Sequence, residues 1–227
     1  MSSTNSKIQD LSVEKIVENL TAAGMPPDFG EDNSRLLIKT LRTLAQGDPI
    51  ASSGVERISD ELGISVEKAD EFLRQITERD SDDNIIGLMG LSLNPEWPHR
   101  FNINGNSLRT WCAWDTLFLP TLVNAPVAVE SESPVSGTTV RLTVTPNGVD
   151  SSSPEGAVVS IAIIDPEFDD VSSMEAIWGS FCHQVFFFPT KQEAEEWSKE
   201  KNNIAILSVN EGYELGRLVF SQLRHYV

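Results

Sequence analysis

The 227-residue chain is poor in the side chains that build metal centres: two cysteines, Cys112 and Cys182, and three histidines, His99, His183 and His225. None of them stands at C-x-x-C or H-x-x-x-H spacing, so a tetrahedral zinc centre would have to gather its ligands from afar and is not expected. Basic residues are also scarce, 17 against 34 acidic ones, for a formal charge of −17. That field repels phosphate backbones and anionic lipid, so neither nucleic acid nor a membrane surface is an expected partner. No apolar run is long enough to cross a bilayer. The opening MSSTNSKIQDLS lacks the apolar core of a secretory signal and the arginines of a transit peptide, which leaves the cytoplasm as the expected location. In that reducing compartment the two cysteines are expected to be free thiols. A phosphate-binding glycine loop, a G-x-S-x-G elbow and any repeat of 20 to 50 residues are likewise missing.

What is present is an ordinary globular composition, 40% hydrophobic and 22% charged, long enough for one large domain or two small ones. We expect a disordered tail over residues 1–11, a first domain over 12–106 and a second over 107–227. SVEKIVENLTAAG reads as a helix capped by Ser12 and stopped at Gly24, and SRLLIKTLRTLAQG as another from a Ser34 cap to Gly47. GVERISDELGISVEKADEFLRQI reads as helix-turn-helix, with a break at Gly63, a Ser65 cap and a second helix running into TERDSDD. The short apolar segments IIGLMGLSL and HRFNINGN then suit strands of a wing, so residues 34–106 are expected to be winged-helix-like. The second of those helices carries about as many acids as bases, which argues for a packing module over a DNA reader.

From Val127 the pattern changes to alternation. VAVE, VRLTVTP, AVVSIAIIDP and FCHQVFFFP read as strands, TKQE opens a helix with a Thr190–Glu193 capping box, IAILSV is a further strand, and residues 210–225 close as a helix. The expected fold is therefore α+β, a winged-helix-like N-terminal domain followed by a mixed, mostly antiparallel sheet domain with helices.

One stretch at the seam stands out. TWCAWD, residues 110–115, places a scarce thiol between Trp111 and Trp114, with Asp115 three positions after Cys112. A helix from about Thr110 to a stop at Pro120 would set Cys112 and Asp115 on one face. Its apolar neighbours imply burial, which raises a carboxyl pKa and makes Asp115 a candidate proton carrier. Cys182, on strand alternation, shares a face with Gln184, Phe186 and Phe188. Each cysteine alone reads as a small core hydrophobe. Brought together across the seam, the pair would favour a soft, thiophilic metal ion, and sequence spacing alone does not show whether they meet. Trp111 and Trp114 read equally as seam filler or as walls of a substrate pocket.

The segments RTWCAWDTLFLP, VRLTVTP, SFCHQVFFF and EEWSKEKNNIAILSVNEGYELG resemble the organomercurial lyase (alkylmercury lyase) family, a likeness covering roughly residues 35–220. The resemblance implies an enzyme that cleaves carbon–mercury bonds by protonolysis with no cofactor beyond thiols, and its active residues fall on Cys112, Asp115 and Cys182. Further cysteines common in the family are replaced here by Ser133 and His183. On this reading Cys112 attacks a thiol-bound organomercurial, Cys182 adds a second sulfur, Asp115 relays the proton to carbon, and Hg(II) stays on the two thiols. Small thiols or a mercuric reductase would then accept it. The competing readings are a thiol-based soft-metal-binding protein without catalysis and a metal-responsive winged-helix regulator.

Overall fold

The computed structural model describes residues 8, 10–165, 167–171 and 173–227, without the side chains of Met174 and Glu175. Most of the expected tail over residues 1–11 therefore lies outside the described residues. Near its end, the Lys191 ammonium donates to the Asp10 carboxylate at 2.9 Å.

Helix α1 (Val13–Ala22) buries Ile16 and Leu20, four residues apart on one face, against the last helix of the chain. Helix α2 (Gly30–Leu44) starts before the expected Ser34 cap; Glu31 and Asp32 occupy its first turn, and Ser34 is buried within it. Helix α3 (Ser52–Leu62) ends at Gly63 in the left-handed conformation, φ 69°. Ser65 caps α4 (Val66–Ile76) through its hydroxyl, which accepts from the Lys68 N–H. Contrary to the expected extension of this helix into TERDSDD, Thr77–Arg79 forms strand β1. The reason is local: the Asp80 carboxylate accepts from the N–H groups of Asp82 and Asn84, and Arg74 and Arg79 pair with Asp83, so the acidic run closes a turn.

Strands β2 (Ile85–Leu88), β3 (Leu91–Ser92), β4 (His99–Ile103), β5 (Asn106–Thr110), β6 (Val127–Glu132), β7 (Thr139–Thr145) and β8 (Gly148–Ser153) join β1 in one eight-stranded sheet, ordered β1-β2-β3-β5-β4-β6-β7-β8. All its pairings are antiparallel. The expected boundary between residues 106 and 107 falls inside β5, and the sheet continues across it where Arg100 of β4 faces Glu130 of β6. A smaller antiparallel sheet places β9 (Val158–Ala162) between β10 (Phe187–Phe188) and β11 (Ile204–Ser208), with every residue of β9 buried.

Helix α5 (Asp115–Val123) is buried along its whole length, packed on α2, on β7 and on α8 (Val209–Val219). Two shorter helices, α6 (Met174–Ser180) and α7 (Lys191–Ser198), flank β10 in sequence. Thr190 caps α7 as expected, accepting from the Glu193 N–H, but the Glu193 carboxylate accepts from Ser133 and Ser136. The reciprocal capping box occurs instead at Ser208 and Glu211, opening α8. The chain is thus a mixed α+β protein with antiparallel sheets. No helix among the described residues is long and apolar enough to cross a membrane.

Candidate active site

Strand β5 ends at Thr110, and the next four residues are committed elsewhere than to a helix. The Trp111 N–H donates to the Gly90 carbonyl in the β2–β3 turn at 2.9 Å, and the Thr110 hydroxyl donates to the Cys112 carbonyl. The Ala113 N–H donates to the Val185 carbonyl at 3.2 Å, tying this bend to the chain that carries Cys182. Only then does α5 begin, with Asp115 as its first residue. The expected helix from Thr110 is therefore corrected, as is its stop: Pro120 lies inside α5, which ends at left-handed Asn124, φ 55°. Cys112 and Asp115 still meet, by a different route. The Asp115 carboxylate reaches back to accept the Cys112 N–H at 2.7 Å, in the manner of a cap.

Cys182 is also placed differently from expectation. Cys182–Gln184 forms one turn of 3-10 helix, and only Phe187–Phe188 is strand. The Ser160 hydroxyl donates to the Gln184 carbonyl at 2.8 Å and accepts from the Phe186 N–H at 2.9 Å, so a side chain takes the partners a ladder would have used. The turn directs Cys182 toward Cys112, whose side chain lies within hydrogen-bonding reach of both Cys182 and Asp115. The two thiols, 70 positions apart in the chain, and one carboxyl form a single cluster.

The cluster is dry. Cys112 is fully buried, and Cys182 and Asp115 retain 5% and 6% exposure. Burial pushes the Asp115 carboxyl up to about 7, against the opposing pull of its hydrogen bonds with Cys112. Burial first, then the contact with Cys182 and the nearby Asp115 charge, hold the Cys112 thiol well above its ordinary value, so it rests protonated. Among the described residues Asp115 enters no salt bridge.

A cavity of about 770 Å³ opens onto this cluster. Asp115 and Cys182 line it, whereas Cys112 does not. Trp111 and Trp114 both form part of the wall. The Trp114 indole N–H donates to the Gly212 carbonyl at 2.9 Å, and Trp111 packs edge-on against Trp178 of α6, centroids 5.2 Å apart. The sequence reading missed much of the wall, including Met25 and Phe29 between α1 and α2, Met89 and Gly90 in the β2–β3 turn, and Phe181 after α6. Only Gly90, preceding a short apolar strand, left a trace in the sequence, as a turn signal. Ser133 is buried on Glu193, and His183 is exposed. Among the described residues no group of three or more His, Cys, Asp or Glu is arranged to hold a metal ion.

Fold and site together describe an α+β protein with two buried thiols and a carboxyl raised to near neutrality beside an apolar cavity. The alkylmercury lyase family model matches residues 91–221. An alkylmercury lyase of Staphylococcus epidermidis is 37% identical over 179 residues, 78% of this chain and 77% of that protein. Those of Bacillus cereus and Streptomyces lividans are 34% and 35% identical, over 91% and 92% of this chain and 90% and 92% of theirs. The crystal structure of the mercury-bound form of MerB2 has the same fold, with a TM-score of 0.70 at 21% identity over 94% of this chain and 98% of that one. The chain belongs to the alkylmercury lyase family.

Proposed function

We propose that the protein is an organomercurial lyase, cleaving carbon–mercury bonds by protonolysis to a hydrocarbon and Hg(II), with Cys112, Cys182 and Asp115 as its catalytic residues. The observation that carries the reading is the meeting of the only two thiols with a carboxyl held near neutrality at the end of an apolar cavity. The substrate arrives as R–Hg–SR′. Cys182 lines the cavity and Cys112 does not, which favours Cys182 as the first sulfur on mercury, the reverse of the order expected from sequence. Its sulfur displaces the carrier thiol, which leaves as R′SH with the proton Cys182 gives up. Cys112 adds as the second sulfur and passes its proton to the ionised Asp115, within hydrogen-bonding reach. Protonated Asp115 then delivers that proton to the carbon as the carbon–mercury bond breaks, acting as base and acid in turn. R–H departs, and Hg(II) remains on two thiolates.

No cofactor enters this scheme beyond free thiols, which are needed to exchange the product away. Small thiols, or the cysteines of a mercuric reductase, would accept it, and reduced cysteines fit a cytoplasmic setting. Trp111 and Trp114 serve as pocket walls that exclude water and so strengthen proton delivery. The order α2, α3, α4 followed by β1 to β3 supports the winged-helix-like reading of the N-terminal part. Its role here is to supply the walls around Met25, Phe29 and Met89, not to bind nucleic acid.

The test is methane in the headspace over methylmercury, excess thiol and purified protein. Cys112→Ser and Cys182→Ser should each abolish turnover. Asp115→Ala should keep mercury binding and lose methane; full activity in any of the three refutes the assignment.

A further inference from the structure

Asp115 has a neighbour that neither thiol accounts for. Gly90 is the second residue of the two-residue turn between β2 and β3, where Leu88 pairs with Leu91 and Met89 and Gly90 adopt φ of 53° and 88°. The β4–β5 turn is built alike: Ile103 pairs with Asn106, and Asn104 and Gly105 adopt 52° and 87°. Both are hairpin turns that need positive φ at each central position. They differ in what lies against the glycine. At Gly105 an added Cβ would meet nothing within 4 Å, whereas at Gly90 it would stand 2.4 Å from the Asp115 Cγ and 2.6 and 2.7 Å from its carboxylate oxygens. The Asp115 carboxyl fills the space of the side chain that Gly90 lacks.

That contact belongs to a closed circuit. The Gly90 carbonyl accepts from the Trp111 N–H at 2.9 Å, Cys112 follows directly, and the Cys112 N–H donates to Asp115 at 2.7 Å. Met89 accepts a left-handed backbone that a longer side chain rarely takes, at a position where its sister turn has asparagine, and it lines the cavity. The turn, the Cys112 backbone and the Asp115 carboxyl are thus tied to one another.

Resting on the lyase reading of this site, we propose that Gly90 is a positioning residue for proton delivery, its bare Cα fixing where the Asp115 carboxyl stands relative to the mercury-bound carbon. A Cβ at Gly90 needs about 1 Å more room to reach the 3.4 Å at which ordinary contact begins. The carboxyl, the turn, or both must shift by that amount, and a misplacement of about 1 Å costs on the order of 10²-fold in rate.

Gly90→Ala and Gly105→Ala, made in the full-length protein, separate this role from backbone strain. Gly105→Ala carries the strain alone: its melting temperature falls and kcat for methylmercury stays at the native value. Gly90→Ala should lose about 10²-fold in kcat with KM near native and Hg(II) still bound. A kcat equal to that of Gly105→Ala overturns the proposal. A second arm needs no turnover. With the carboxyl removed in Asp115→Ala, adding Gly90→Ala should lower the melting temperature only as much as Gly105→Ala does, and less than it does in the native background. If Gly90→Ala alone cannot fold, the Gly90→Ala/Asp115→Ala variant should recover the fold. Equal losses in both backgrounds, or no recovery, overturn the proposal. Absence of methane from the native protein would instead refute the lyase reading, a result this thermal comparison keeps distinct.

Discussion

Replacing Asp115 with asparagine should flatten the pH dependence of stability on the alkaline side. Folding moves the carboxyl from an ordinary 3.8 to about 7, so between those values the folded state binds a proton that the unfolded state has released. A raised folded pKa contributes stability that is complete below the unfolded value and is lost as pH rises through the folded one. The full span, about three pH units, corresponds to about 4 kcal/mol, of which about 2 kcal/mol is lost between pH 5.5 and 8.5. The amide of Asp115→Asn would keep an oxygen for the Cys112 N–H but carry no charge. Urea denaturation of both proteins at those two pH values gives the comparison. With a slope of about 2 to 3 kcal/mol/M, the native midpoint should drop by up to about 1 M relative to Asp115→Asn. Parallel pH profiles would refute the claim that Asp115 is a desolvated, proton-holding group.

His99 gives the opposite dependence: buried, with Nδ1 2.7 Å from the Ser131 hydroxyl and Nε2 without a partner, it is pulled by desolvation from 6.5 to about 3. The unfolded state takes up the proton first as pH falls, so His99 should cost about 3 kcal/mol at pH 4, and His99→Gln should unfold less readily in acid titration. At the α5–α8 crossing, a Cβ at Gly216 would stand 2.4 Å from the Phe118 Cβ. Gly216→Ala should therefore destabilise by about 1 to 3 kcal/mol, read as a lower thermal midpoint.

Much of this architecture is legible in short-range chemistry. Gly63 and Ser65 mark their helix boundary because a left-handed stop and a hydroxyl cap are local devices. Ile16 and Leu20 declare a buried face by spacing alone. The failures arise where distant partners decide. SFCHQVFFF has the composition of a strand, yet Ser160 from another strand satisfies the Gln184 carbonyl and lets the chain turn at Cys182. TWCAWD has helical spacing, yet Gly90 and Val185 claim its amides. β8 and α6 leave little trace: GVDSSS is a half-exposed edge strand without apolar alternation, and MEAIWGS is too short for periodicity to register. The candidate site residues, Cys112, Asp115 and Cys182, are legible through scarcity and resemblance, while their meeting is a property of the fold.

The most direct test of the two-thiol, one-carboxyl chemistry is a single turnover without added thiol. Reduced protein is mixed with one equivalent of methylmercury, methane is quantified in the headspace, and the mercury left on the protein is examined by X-ray absorption. One methane per chain and mercury held by two sulfurs are the predicted result. Mercury bound through a single sulfur with its methyl group retained would contradict it.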